Sequence, residues 1–132
     1  MKRYDHLIIG GGMAGFSAAQ AIREIDADAA IGMFGEEAHG PYDRTALSKG
    51  LWQGRTEQEL ALNITDLNVE PIRRRAARIH PDRQAVTDES GRTVSYGKLL
   101  LTTGVHPRRL SFDAEAIHYL HSLEQYRRLR RA

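Results

Sequence analysis

Hydrophobic and polar positions change period several times along this chain of 132 residues. Residues 4–9 carry the apolar run Leu7-Ile8-Ile9 and stop at glycines, the pattern of a short buried parallel strand. Over Met13–Ile25 the spacing becomes helical. Ala14, Ala18, Ala21, Ile22 and Ile25 fall at i, i+4, i+7, i+8 and i+11, which predicts one apolar face. The alanines in that face are small enough for the helix to lie close to a sheet. Residues 30–34 read as a second strand, so strand, helix and strand form one βαβ unit, whose crossover should be right-handed.

Beyond Gly35 the pattern is irregular, interrupted by Gly40, Pro41, Gly50 and Gly54. "TEQELALN" predicts a short helix, whereas residues 70–75 fit neither period. Residues 78–81, 85–88 and 93–95 predict three short strands, with "DESGRT" turning between the last two as in a hairpin or small meander. "KLLLTTG" is a further apolar strand that ends in glycine. Ser122, followed by Gln125, predicts a capping box at the start of a final helix. These elements together predict an α/β fold of Rossmann-like type, three-layered, with a parallel sheet and a small antiparallel β-meander.

The composition is that of one globular domain, 41% hydrophobic and 27% charged, long enough to bury a core without covalent staples. The chain has no cysteine, which excludes disulfides, thiolate nucleophiles and cysteine-built zinc sites from these residues. A chain without cysteine fits a reducing cytoplasm. The apolar run at residues 7–9 is too short for a signal peptide or membrane span, so a soluble cytoplasmic protein with no membrane partner is expected. Arg73, Arg74 and Arg75, and later Arg127, Arg128, Arg130 and Arg131, read as solvated faces, with docking of an acidic protein as the alternative. No motif for nucleic acid accompanies them. His118 and His121 lack a third ligand at metal spacing, so no metal site is expected. Trp52 is expected to anchor its own short helix, with packing beside a ligand ring as the alternative.

The chemistry concentrates at Gly10, Gly12 and Gly15, which spell G-x-G-x-x-G between the first strand and the first helix. Gly10 permits a tight turn, Gly12 lets a pyrophosphate approach the backbone, and Gly15 lets helix pack on strand. The turn with Met13 and Ala14 would present backbone N–H groups, at the positive end of the helix dipole, to phosphate charge. Glu36 lies 21 residues beyond Gly15 and is placed to accept hydrogen bonds from an adenosine ribose; Glu37 is the substitute. A carboxylate there repels a 2′-phosphate and favours FAD or NAD over NADP. The glycines do not separate those two.

A longer stretch does. "GEEAHGPYDRTALSKGLW" resembles the corresponding loop of the FAD-containing ferredoxin reductases and the apoptosis-inducing-factor group, a branch of the pyridine nucleotide-disulfide oxidoreductase superfamily. The family pattern is approximately G-E-x-x-x-x-P-Y-x-R-P-x-L-S-K-x-x-L. The chain keeps Gly35, Glu36, Pro41, Tyr42, Arg44, Leu47, Ser48 and Lys49, and departs at Thr45, where the family has proline and a stiffer loop. "YGKLLLTTGVHPRRL" is similar to the family's Y-D-x-L-L-L-A-T-G-x-x-P-R-x-L, with Thr102 in place of alanine. "HYLHSLEQYRRLR" resembles the segment leading toward the family's NAD domain.

The resemblance implies FAD as cofactor, with Arg44 near its adenine or pyrophosphate and Lys49 near the isoalloxazine N5. A guanidinium suits phosphate, and an ammonium near the ring would stabilise the negative charge of reduced flavin. It further implies Ala76 at the adenine, Thr103 and Gly104 with backbone close to the cofactor, Arg108 at phosphate or adenine, and Arg109 toward solvent. Related disulfide reductases carry a redox cysteine pair where Arg44 and Lys49 stand. Without cysteine, electrons must pass to an external acceptor such as an iron–sulfur ferredoxin.

The implied parent is an NAD(P)H-dependent ferredoxin- or rubredoxin-type reductase, with NADH the favoured donor. Residues 1–110 would be the N-terminal part of its FAD domain and 111–132 the segment leading to an NAD domain. No second G-x-G-x-x-G occurs, so the expectation is an inactive fragment without its hydride-donor site. The competing readings are a non-catalytic dinucleotide-binding module and the FAD domain of a related enzyme such as a nitrite reductase subunit.

Overall fold

The computed structural model describes residues 1–112 and 117–132; residues 113–116, inside the expected connecting segment, lie outside the described residues. The chain forms two compact units. The first comprises Met1–Tyr42 and Leu62–Gly104, and the second comprises Asp43–Ala61 and Val105–Ala132.

The first unit is a six-stranded sheet with one long helix. Its elements are β1 (Arg3–Ile9), α1 (Met13–Ile25), β2 (Ile31–Phe34), β3 (Val69–Ile72), β4 (Ala76–His80), β5 (Ala85–Asp88) and β6 (Thr93–Leu101). The strand order is β3-β2-β1-β6-β5-β4. β1 lies parallel to β2 and to β6, and β2 lies parallel to β3. β4, β5 and β6 pair antiparallel. The expected parallel sheet and antiparallel meander are both present, joined through β6. Alternation along β1 supplies both halves of the core. Leu7 and Ile9 pack with Tyr4, Phe34, Val86 and Tyr96, while Ile8 packs with Ala19, Ala29, Ile31, Met33 and Val69.

Several expectations needed correction. The apolar face of α1 is turned from the predicted one: Gly15 and Ala19 are buried and Ala18 and Ile22 half-buried, while Ala14 and Ala21 are exposed and Ile25 is 88% exposed. The contact between Gly15 and the turn before it sets that rotation, and it overrides the residue count. Residues 70–75 resolve into strand β3 followed by a bend, with Pro71 on an edge strand, where its missing N–H costs no ladder bond on the open side. The strands read separately at residues 93–95 and in "KLLLTTG" are one strand. A Cβ on Gly97, which joins them, would come within 2.8 Å of the Asp5 carbonyl oxygen; the glycine lets β6 approach β1. The same strand leaves Leu100 and Leu101 exposed, apolar though its sequence is.

In the second unit, short 3-10 turns over Arg44–Ser48, Gly50–Gln53 and Gln58–Leu60 precede helix α2 (Leu123–Arg131). The helix expected in "TEQELALN" shrinks to the single turn Gln58–Leu60. Only Leu60 there is fully buried, so no apolar stripe exists to extend the turn. α2 begins as expected: the Ser122 hydroxyl accepts from the Gln125 amide at 3.3 Å. The Gln125 side chain reaches one residue further back than a capping box requires and accepts from the His121 amide at 2.6 Å. Trp52 is held locally. Its Nε1 donates to the Leu47 carbonyl at 2.8 Å and its ring meets Tyr126 edge-on at 5.2 Å, as the anchor reading expected.

Candidate functional site

The glycine turn lies where strand periodicity gives way to helical periodicity, between the end of β1 and the start of α1. Each fingerprint glycine answers to a different constraint. Gly10 has φ +126°, and a Cβ on it would fall 2.0 Å from the Thr102 carbonyl oxygen. A Cβ on Gly15 would fall 2.2 Å from the Gly10 carbonyl oxygen. Both are steric requirements of packing. Gly12 differs, because a Cβ there would meet nothing within 4 Å. Its side faces open space, and packing within the chain gives no reason for the residue to be glycine.

Gly12 is also the N-cap of α1, and no side chain caps that end or puts an acid in its first turn. The N–H groups at Met13 and Ala14 therefore begin a helix whose positive end no carboxylate of the first turn offsets. The turn is tied down at the back: the Gly10 amide donates to the Phe34 carbonyl at 3.0 Å, and the Thr102 amide donates to the Ile9 carbonyl at 2.8 Å.

Gly35, just after β2, backs onto the turn, since a Cβ on Gly11 would lie 3.3 Å from the Gly35 Cα. Glu36 follows directly, exposed, its carboxylate 3.4 Å from the Arg75 Nε. The neighbouring acid is engaged elsewhere: the Tyr42 hydroxyl donates to Glu37 at 2.9 Å. Ala76 opens β4, and Thr103 and Gly104 follow the end of β6, with Gly104 at φ +70°. The turn, Glu36, Ala76, Thr103 and Gly104 thus all belong to the first unit.

Arg44, Lys49 and Arg108 belong to the second unit. Asp43 caps the turn that Arg44 begins, accepting from both the amide and the hydroxyl of Thr45. A proline at position 45 would have no N–H, so the threonine orders this loop by a bond that a proline there could not make. The Thr45 hydroxyl is the main reason the Asp43 carboxyl sits below its ordinary range. One Arg44 nitrogen donates to the His121 carbonyl at 2.8 Å. Lys49 joins two 3-10 turns and is exposed. Arg108 is exposed, and the Arg109 guanidinium lies 5.7 Å from the centre of the Tyr119 ring.

Residues 4–132 match the sequence profile of the pyridine nucleotide-disulphide oxidoreductases. The chain belongs to that family. Among curated relatives of this family, the ferredoxin–NAD(+) reductase component of a 3-phenylpropionate/cinnamic acid dioxygenase from Photorhabdus laumondii is 34% identical, over 100% of this chain and 36% of its own length. The corresponding component of the biphenyl dioxygenase system of Paraburkholderia xenovorans is 34% identical, over 95% of this chain and 33% of its own. The fold of a putidaredoxin reductase, solved in covalent complex with putidaredoxin, superposes with a TM-score of 0.88 at 28% identity, covering 99% of this chain and 34% of that one. An NADH:rubredoxin oxidoreductase from Clostridium acetobutylicum superposes with a TM-score of 0.85 at 26% identity, over 98% and 35%. The chain spans about a third of the length of these oxidoreductases. Among the described residues no helix is long and apolar enough to cross a membrane, and no group of three or more His, Asp or Glu side chains could hold a metal ion.

Two features escaped the sequence reading. The Thr102 hydroxyl donates to the Gly10 carbonyl at 3.0 Å. Asp88 is buried in the hairpin turn, accepting from the Ser90 amide and hydroxyl, the Arg92 amide and the Arg74 guanidinium. The D-x-S-G-R spacing was the signal for the second. The departure from the family's alanine was the signal for the first.

Proposed function

We propose that this chain binds FAD and forms the FAD-binding portion of an NADH-dependent ferredoxin- or rubredoxin-type reductase. The observation that carries the reading is the Gly10–Gly15 turn, open to solvent at Gly12, uncapped at the start of α1, with Glu36 directly after Gly35, which backs onto it. That arrangement suits a pyrophosphate at the helix start and an adenosine ribose on the carboxylate. When bound, FAD supplies hydride acceptance and the passage of single electrons.

The chain's own residues hold and orient the cofactor. The turn, with Met13 and Ala14, offers backbone N–H groups to phosphate, and Glu36 accepts from the ribose. Ala76, Thr103 and Gly104 offer backbone, and Arg44 and Arg108 offer guanidinium donors. Lys49 favours the anionic, reduced ring. NADH is the proposed co-substrate of the whole protein, and an iron–sulfur protein its proposed acceptor. The relatives support both, being ferredoxin–NAD(+) reductase components, an NADH:rubredoxin oxidoreductase and a putidaredoxin reductase held to putidaredoxin. With no cysteine in these residues, no internal disulfide can intervene. The proposed compartment is the cytoplasm.

Titration of the purified chain with FAD, followed by quenching of flavin fluorescence, tests the reading. Saturable binding is expected, and Glu36→Ala should raise Kd about tenfold, the loss of one hydrogen bond to a charged group. A wild-type chain that leaves flavin fluorescence unchanged overturns the proposal, and an unchanged Kd in the variant removes Glu36 from the site.

A further inference from the structure

We infer that Thr102 is a positioning residue for the cofactor cradle, acting as a hydroxyl latch on the glycine turn. Its Oγ1 donates to the Gly10 carbonyl oxygen at 3.0 Å and lies 3.3 Å from the Ile9 carbonyl oxygen. Its amide donates to that same Ile9 oxygen. The Gly10 carbonyl also lies against α1, where a Cβ on Gly15 would come within 2.2 Å of it and 3.2 Å of the Thr102 Oγ1. The oxygen is therefore enclosed between helix and latch.

The consequence follows from peptide geometry. The peptide between Gly10 and Gly11 is trans, so its carbonyl and its N–H lie in one plane and point in opposite directions. Holding the Gly10 oxygen toward Thr102 turns the Gly11 N–H the other way. A peptide flip would reverse this and present a carbonyl dipole where a phosphate anion needs a donor. Gly10 and Gly11 lack the side chains that would otherwise restrict such rotation, and glycine gives up more freedom than any other residue when it is fixed. A hydrogen bond from 92 residues away replaces the missing restriction. An alanine at this position, as in the pattern the chain resembles, would have no hydroxyl to donate; the threonine sharpens the cradle before the cofactor arrives.

The inference rests on the FAD reading, and its test separates the two. Wild type, Thr102→Val, Thr102→Ala and Thr102→Ser are compared in two measurements: Kd for FAD by flavin fluorescence, and backbone 15N order parameters of Gly11 and Gly12 in the cofactor-free chain. The valine variant preserves shape and removes the donor; the serine variant preserves the donor. Loss of one hydrogen bond predicts a five- to tenfold rise in Kd, roughly, for valine and alanine, with serine within about twofold of wild type. The order parameters should fall from about 0.85 toward 0.6 in valine and alanine and stay high in serine. If wild type fails to bind FAD while the order parameters follow this pattern, the FAD reading falls and the latch stands. If valine and alanine match wild type in the order parameters, or serine fails to rescue them, the latch is overturned whatever FAD does. Alanine also decides the matter should valine not fold.

Discussion

At the scale of single residues, Gly15 and Asp88 show how little room separates a tolerated position from a fixed one. A methyl group on Gly15 would press on a backbone oxygen, which cannot swing aside as a flexible side chain would. Gly15→Ala should therefore cost about 1–3 kcal/mol of stability, the usual penalty for overpacking, as read by urea denaturation. Asp88 is fixed by its partners. The Ser90 hydroxyl first, then the Arg74 guanidinium and the Arg92 and Ser90 amides, hold its pKa down at about 2. An unfolded aspartate titrates near ~3.9, so the ionised carboxylate stabilises the fold above about pH 4 and loses that effect as pH falls through about 2. Asp88→Asn should lower Tm at neutral pH. The difference in Tm between variant and wild type should narrow across that acid window.

At the scale of elements, the ends of helices were easier to read than their faces. The start of α2 is a local affair among His121, Ser122 and Gln125, and the sequence spells it out. Ser122→Ala should remove the hydroxyl that accepts from Gln125 and cost about 1 kcal/mol, measured by urea denaturation followed through the helical CD signal. The face of α1 was misjudged because its candidate positions are alanines and isoleucines all round, so composition alone does not set the rotation. Gly15 does, through its contact with the Gly10 carbonyl. The unbroken course of β6 is a similar case: only the neighbouring backbone of Asp5 shows that Gly97 serves close approach.

At the scale of the whole molecule, the proposed cofactor should act as a ligand on stability as well as a reagent. A ligand that binds only the folded chain adds about 2.7 kcal/mol at a free concentration one hundred times its Kd. Thermal melting should therefore shift upward as FAD is added, and the shift should shrink in Glu36→Ala at the same concentration. A Tm indifferent to saturating FAD contradicts the proposed function at this scale. The third of the relatives' length that this chain spans holds the glycine turn, the acid and the Thr103–Gly104 strand end together in one unit.

The sequence by itself determined what depends on near neighbours or on composition. Residues a few positions apart specify the turn at Gly10, Gly12 and Gly15, the hairpin of "DESGRT" and the cap at Ser122. A count of zero cysteines excludes internal disulfide chemistry here without any coordinates. Only the tertiary structure decided which side of α1 is buried, that β6 runs unbroken, and that Thr102 reaches the Gly10 carbonyl. These features arise where backbones distant in sequence approach within van der Waals or hydrogen-bond range. The chain records such approaches only as an unexplained glycine, or as a threonine where alanine would do.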